Sequence, residues 1–561
     1  MSRLNKCLVL MMLGVLLTQC TKDFNEINIR PDAFTSDEVS GKFFLTQPQY
    51  KLFAPDRYPY WRAHLIHTDR YAGHFTFGFR GSWWSDGLGY TYNSGYTDAA
   101  WDWLEGYIGG LDNYMRNVQK GGEFENQYME AIGKVMRGLY FQMFTDVFGM
   151  VPYTEATNPD IILPKFDGQA VIYQGLIAEL NDAMNTIGDA ERTGVNVDDV
   201  GENDLYYGGD LQKWKKLANT LKLRLAMRAL GAPNASFAEA AISEALSQPL
   251  LETEGDNCLL PKDEVITQWD AACYGDIWYN FGTGSDWTVG KTLVDYLRNN
   301  NDPRLPMYAK PAKGGEVFLE KPDGPEAAQF DKRVNFILGV LDEAGVEYTR
   351  SDADDGVTVA MPENTYYVGQ PTRLNAETNP IAAYEFFSTP AEIVIRAKNS
   401  GEIFPEIVLA TAQAYFLRAE ASVRGLGSDD AAAMYQAGIE HAMKLWGVSD
   451  DEIATYLAEA PLAQLTGTQE QMIEKIAIQR WIASYTDGFE GWAIVRDYGY
   501  PAELAEGVSD PDIFSLGDIN GKYPQRLRYG NNAVNTNGAN VDAANAVQGP
   551  NLQSTKLWWA K

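Results

Sequence analysis

Amphipathic helices follow one another along much of this sequence, and short loops join them in pairs. Between Met129 and Met143, apolar residues recur in alternating steps of three and four, which places them on one face of a helix. Gly149 and Pro152 provide the signals that end it. An apolar stripe of this kind must be buried against a neighbouring element, so the chain is expected to stack helix upon helix.

The same pattern returns in both halves of the chain. A second helix is predicted after Asp167 as its N-cap, and a third runs from Asp210 to stop signals at Gly231 and Pro233. Later helices are predicted at 405–424, at 431–446 and after the capping box formed by Thr468 and Gln471.

Short-loop helix pairs with small and aromatic residues resemble tetratricopeptide units. We therefore predict a mainly α fold: a tetratricopeptide-like helical-repeat scaffold, with repeats at about 125–250 and 400–490. A generic helical bundle is the alternative interpretation. Residues from about 255 to 400 are richer in Gly, Pro, Asn and Asp, and we expect a loop-rich region with a few short strands there. Within this region we predict a helix at Lys291–Asn299 and strands at Val357–Met361 and Ile393–Arg396. Near the end of the chain we predict a long surface loop from Gly530 to Asn551.

The charge composition argues against a nucleic acid as the main partner. The chain of 561 residues is 45% hydrophobic and 12% aromatic, which is typical of a globular protein. It has 46 basic and 76 acidic residues, a formal charge of -30. Binding to nucleic acid phosphates requires a basic surface, so a neutral or cationic ligand suits this chain better.

The N-terminus resembles a lipoprotein signal. Arg3 and Lys6 precede an apolar run at 7–17, which is too short to span a bilayer. The run ends at Cys20, in the position of an acylated cysteine, although Gln19 replaces the small residue usual before it. We predict a signal peptide at 1–19, lipid attachment at Cys20 and one domain at 20–561. Whether Cys258 and Cys273 form a disulfide is left open.

Catalytic and metal-binding patterns are weak. The sequence has no nucleophile elbow, phosphate-binding loop or dinucleotide fingerprint. His64 and His67 could share a helix face, but no Cys or acidic partner stands at metal-ligand spacing, so a structural or surface role is favoured. We predict no catalytic residue, no metal and no cofactor.

Two aromatic segments carry the strongest functional signal. Glycines and polar residues separate their rings, a pattern that a buried strand would not need. Rings in loops can stack on the apolar faces of sugars, while amides and carboxylates bind the hydroxyl groups. The aromatic candidates are Trp83, Trp84, Tyr90, Tyr92, Trp278, Tyr279 and Trp287, and the polar candidates are Asp86, Asn93 and Asn280. Packing of these loops against the helices is the competing interpretation, and Trp101, Trp103 and Tyr107 are expected in the core because of their helical spacing.

A series of short segments resembles the SusD/RagB-type nutrient-binding outer-membrane lipoproteins of the Bacteroidetes. The matches occur in order along nearly the whole chain. They are TKDFNEIN at 21–28, FTDVFGMVPY at 144–153, DLYYGGDLQKWKKLANTLKLR at 204–224, NDPRL at 301–305, LRAEA at 417–421, EGW at 490–492 and WW at 558–559. Gln413 departs from the pattern, which often has Glu there.

The resemblance implies a cell-surface lipoprotein on tetratricopeptide-like helices, lipid-anchored in the outer membrane and facing the exterior. Such proteins partner a SusC-like TonB-dependent outer-membrane transporter, to which they deliver a captured oligosaccharide. They are not enzymes. Two other functions stay open: a peptide-binding member of the same scaffold and, less favoured, a surface-anchored glycoside hydrolase.

Overall fold

The computed structural model describes residues 39–55, 59–77, 90–262, 287–395 and 404–560. Within these ranges the α-helices are α1 Thr46–Phe53, α2 Asp69–Tyr71, α3 Ser94–Val118, α4 Gln127–Phe148, α5 Gln169–Ile187, α6 Leu211–Ala229, α7 Ala238–Leu246, α8 Lys291–Asn299, α9 Leu305–Tyr308, α10 Phe330–Glu343, α11 Glu392–Ile395, α12 Thr411–Val423, α13 Ala431–Leu445, α14 Asp450–Glu459, α15 Gln469–Ala483, α16 Gly488–Tyr498, α17 Ala502–Ala505, α18 Asn531–Thr536 and α19 Gly538–Gln548. A π-helix, Tyr60–Thr68, precedes α2.

Seven short strands form three small antiparallel sheets in the described residues. The strands are β1 Phe75–Phe77, β2 Cys258–Leu260, β3 Trp287–Val289, β4 Gly315–Glu320, β5 Thr349–Ala353, β6 Gly356–Met361 and β7 Glu406–Leu409. β1 pairs with β3, β2 pairs with β7, and β6 lies between β4 and β5. The fold is therefore mainly α, as the sequence predicted.

The predicted helix pairs are present. α4, α5 and α6 pack in succession, as do α12 and α13, with α15 against α12. Asp210 caps α6 by accepting hydrogen bonds from the N–H groups of Gln212 and Lys213. The capping box of Thr468 and Gln471 starts α15.

The structure corrects four details of the prediction. Ile393–Arg396 is not a strand, since Glu392–Ile395 forms helix α11. The segment from Gly530 to Asn551 is not a loop but contains α18 and α19. The helix predicted from residue 405 begins at Thr411 after strand β7. Gly168, not Asp167, is the N-cap of α5.

Three apolar clusters form the core of the described residues. The largest contains α3 to α7 together with α15 and α16; a second lies between β4–β6 and α10, and a third joins α12 to α15. Trp101, Trp103 and Tyr107 are buried as predicted. Cys258 is a buried free thiol, and Cys273 lies outside the described residues.

A network of buried charges ties the helices together. Arg228 donates to Asp146 at 2.6 Å and to both carboxylate oxygens of Glu490 at 2.7 Å. Arg480 donates to Glu490 at 3.2 Å and to Glu420 at 3.4 Å. Burial by itself would raise the pKa of Glu490, but the surrounding guanidinium groups outweigh it and lower the pKa to about 2. Asp146, Glu420 and Glu490 come from three of the segments that resemble the SusD/RagB family, so these segments meet in the interior.

Asp487 gives this network a pH dependence. Its carboxylate accepts a hydrogen bond from the N–H of Glu490, 3.2 Å away. Burial and the nearby Glu490 carboxylate raise the pKa of Asp487 to about 7. The folded protein therefore keeps a proton that the unfolded chain releases near pH 4, and this contribution to stability is lost as the pH rises from about 4 to about 7.

Replacing Asp487 by Asn keeps a carbonyl oxygen for the hydrogen bond and removes the titration. We expect Asp487→Asn to leave the free energy of unfolding almost unchanged at pH 4 and to raise it by about 2–4 kcal/mol at pH 8. Urea denaturation at both pH values measures this difference. An equal effect at the two pH values would show that Asp487 does not titrate in this range.

The two histidines considered for a metal site are buried in the π-helix. Burial lowers the pKa of His64 to about 3 and that of His67 to about 4, so both are neutral at physiological pH. No group of three or more metal-ligating side chains exists among the residues that the structure describes. In the same ranges, no helix combines the length and the apolar character needed to cross a membrane.

Candidate functional site

The two aromatic segments predicted from the sequence are attached to the same short ladder. In the antiparallel pair of β1 and β3, Phe75 faces Val289, Thr76 faces Thr288 and Phe77 faces Trp287. Phe77 is the last described residue before 78–89, and Trp287 is the first after 263–286. The chain thus enters one aromatic segment and leaves the other at neighbouring points. The strand pair therefore brings together two parts of the chain that are about two hundred residues apart in sequence.

Packing and backbone hydrogen bonds hold this ladder in place. The ring of Phe75 stacks on Tyr485 with centroids 5.0 Å apart. The Gly290 N–H donates to the carbonyl of His74 at 2.9 Å. A Cβ at Gly290 would lie 2.0 Å from the carbonyl oxygen of Gly73, so only glycine permits this approach. The aromatic and β-branched residues of both strands suit a buried pleated pair.

A second ladder fixes the other end of the 263–286 segment. β2 pairs with β7, placing Leu260 opposite Glu406. Lys262 forms a buried ion pair with Glu406, and the Tyr60 hydroxyl donates to the same carboxylate at 2.8 Å. The ammonium group of Lys262 lies 5.2 Å from the centroid of the Tyr60 ring. Both points at which this segment joins the described fold are therefore rigidly held.

Tyr90 is not available for stacking. It is 2% exposed, and its hydroxyl donates to the carbonyl of Arg70 at 3.1 Å. The guanidinium of Arg373 lies 4.3 Å from its ring centroid, and the ring of Tyr71 lies 5.2 Å away. The predicted role of Tyr90 as a stacking residue therefore does not fit the structure.

Trp287 is also buried, at 2% exposure. Its side chain belongs to the main apolar cluster, so its ring supports the ladder instead of forming part of an exposed surface. Like Tyr90, Trp287 therefore does not fit its predicted role as a stacking residue.

Tyr92 and Asn93 lie at the surface where α3 begins. The guanidinium of Arg528 stands 4.2 Å from the centroid of the half-buried Tyr92 ring. The Tyr92 N–H donates to Asp518 at 3.0 Å. Asn93 caps α3 by accepting a hydrogen bond from the N–H of Tyr96 at 3.1 Å.

The electrostatic surroundings of Tyr92 keep its hydroxyl neutral. Burial raises the pKa of Tyr92, and the nearby Asp98 carboxylate raises it further, whereas Arg528 opposes both. Arg528 and Asp518 also form an ion pair at 3.3 Å. A neutral phenol can both donate and accept a hydrogen bond, which suits a hydroxyl-rich ligand.

Arg528 and Asp518 were not predicted from the sequence. They come from a segment more than four hundred residues after Tyr92, and neither stands in a local pattern that indicates a site. Only the tertiary packing of the C-terminal segment against the start of α3 reveals them. The remaining predicted site residues, Trp83, Trp84, Asp86, Trp278, Tyr279, Asn280 and Cys20, lie outside the described residues.

The protein is thus a mainly helical scaffold to which two aromatic segments are attached by short antiparallel strand pairs. The family model described as "Starch-binding associating with outer membrane" matches residues 34–320 and 358–529. The chain therefore belongs to the SusD-like family.

Solved structures agree with this assignment. A chitin-binding protein is 26% identical, with a TM-score of 0.69 and coverage of 93% of this chain and 99% of that one. A SusD-like protein from Bacteroides thetaiotaomicron is 24% identical, with a TM-score of 0.68 and coverage of 93% and 98%. A SusD homologue from Bacteroides uniformis has the same fold at 21% identity, with a TM-score of 0.68 and coverage of 93% and 99%. No curated protein sequence matches the chain significantly.

Proposed function

We propose that this protein captures an oligosaccharide at the cell surface and delivers it to a SusC-like TonB-dependent outer-membrane transporter. The observation that carries the proposal is the pairing of Phe77 with Trp287, which attaches both aromatic segments at one edge of one ladder. Rings contributed by two segments can hold successive sugars of one chain, and several weak contacts add up to a useful affinity.

The proposed ligand site comprises Trp83, Trp84, Tyr92, Trp278 and Tyr279 as stacking rings. Asp86, Asn93 and Asn280 would bind hydroxyl groups. Membership of a family described as starch-binding supports a carbohydrate ligand, as does the similarity to a chitin-binding protein.

The membrane attachment belongs to the same proposal. Acylation of Cys20 would tether the protein to the outer membrane, and more than one acyl chain gives a stable anchor. The 18 residues between Cys20 and the first described residue would serve as the tether. The protein would bind its ligand without hydrolysing it.

A binding screen tests the proposal. The form comprising residues 21–561 contains every residue that the structure describes. It would be run on affinity gels containing soluble starch or glycol chitin, and titrated with a panel of basic and neutral peptides. We expect retardation by one glycan class without release of reducing sugar. Binding to peptides alone would favour the peptide-binding function, and release of sugar would identify a hydrolase.

A further inference from the structure

A large open cleft lies beside the β1–β3 ladder. It has a volume of about 790 Å³ and is formed by α8, α10 and the segment 503–514. Three half-buried rings line it, those of Tyr296, Phe336 and Phe514. The rings of Phe336 and Phe514 meet edge to face with centroids 5.4 Å apart, and Tyr296 meets Trp481 in the same way at 6.0 Å. These contacts hold the rings in fixed orientations.

The polar groups of the cleft suit a neutral ligand. Its charged lining residues are one cation, Lys291, and three carboxylates, those of Asp295, Glu343 and Glu503. Lys291 lies 2.5 Å from Asp295 and 2.7 Å from Glu343, so two of the carboxylates are already paired. An anionic ligand would meet repulsion here, and a cation would have to compete with Lys291.

Side-chain amides complete the lining. Asn299, Asn300 and Asn335 border the cleft, and Asn299 and Asn335 are exposed. An amide both donates and accepts hydrogen bonds, as a sugar hydroxyl does. Rings beside amides, with two of the three carboxylates paired, form a surface suited to a neutral chain of sugars.

One end of the cleft lies next to the points at which the two aromatic segments join the described fold. Lys291 follows β3 through Gly290, and Thr372 in the wall of the cleft precedes Arg373, whose guanidinium lies 4.3 Å from the centroid of the Tyr90 ring. Tyr90 is the first described residue after the aromatic segment 78–89. A second cleft, of about 560 Å³, shares Asn299 and Asn300 with the first. The two clefts therefore adjoin at the C-terminal end of α8.

We propose that this cleft is a second oligosaccharide-binding subsite, which holds sugar rings of a chain whose other rings stack on the two aromatic segments. The inference rests on the proposed function and deepens it, because it makes the protein selective for long, neutral chains. Short oligosaccharides fill only the aromatic segments, whereas longer ones gain the contacts of the cleft.

The test compares short and long probes on one cleft variant. Asn299→Ala combined with Phe336→Leu removes an exposed amide and a ring but keeps an apolar side chain in the second position. Chitobiose, chitohexaose, maltose and maltoheptaose would be titrated calorimetrically into residues 21–561. We expect the variant to bind the preferred long chain about tenfold more weakly than the unmodified protein and the short chain equally well.

Two controls separate the possible outcomes. Phe318→Leu replaces an exposed ring on β4, outside the cleft, and should leave every affinity unchanged. Unchanged short-chain binding in the cleft variant shows that it is folded. If the variant binds the long chain as well as the unmodified protein does, the cleft is not a subsite, while the proposed function stands. If the unmodified protein binds none of the four sugars, the proposed function fails and this inference fails with it.

Discussion

Replacing Trp83, Trp84 and Trp278 together by alanine is expected to abolish carbohydrate binding. Each ring would contribute the apolar face on which a sugar stacks, and no polar contact can replace that surface. Loss of about 1.4 kcal/mol per ring corresponds to a tenfold loss of affinity for each, so three substitutions bring binding below detection. Affinity gels with the glycan that the screen identifies measure the effect.

The thermal midpoint of this triple variant should stay close to that of the unmodified protein. Trp287→Ala is the matched contrast, because this ring is 2% exposed and packs in the main apolar cluster. Truncating a buried tryptophan costs about 3–5 kcal/mol of unfolding free energy, so Trp287→Ala should lower the midpoint clearly. If the triple variant binds normally, the three rings are not the ligand site.

Replacing Arg228 by methionine should cause the largest loss of stability. The substitution leaves the buried carboxylates of Asp146 and Glu490 without their shortest ion pairs. Breaking a buried pair by removing one partner costs about 3–5 kcal/mol, because the remaining charge is neither solvated nor compensated. The free energy of unfolding from urea denaturation measures the loss.

Arg192→Met is the control for this experiment. Arg192 also forms a short ion pair, 2.8 Å from Asp199, but its side chain is 42% exposed. An exposed pair contributes less than about 1 kcal/mol, so the control should remain nearly as stable as the unmodified protein. Equal losses from the two substitutions would mean that burial does not determine the strength of these ion pairs.

The helical scaffold was predictable because its signals are local. Apolar periodicity and capping residues located α4, α6 and α15 without any knowledge of their neighbours. α19 was missed because its Asn, Ala and Gly composition is typical of a loop. Its stability comes from tertiary contacts: Val541 and Ala544 are buried, and Asn540 donates to the carbonyl of Leu163 at 3.1 Å. Val394 and Ile395 are β-branched, which favoured a strand. In the structure these two residues are buried and belong to helix α11.

The candidate site was predictable only in part, for the same reason. Interleaved aromatic and polar residues identified the two segments, but their common attachment depends on a strand pair formed across more than two hundred residues. The burial of Tyr90 could not be inferred either, since Arg373 comes from a distant part of the chain. Patterns in the sequence indicate which segments are chemically suited to a ligand, and long-range packing decides which rings remain accessible.

The most direct test of this account is a crystal structure of residues 21–561 with the oligosaccharide that binds in the screen. We expect sugar rings at the Phe77–Trp287 end of the β1–β3 ladder, in contact with both aromatic segments. A ligand bound elsewhere, touching neither segment 78–89 nor segment 263–286, would contradict the account.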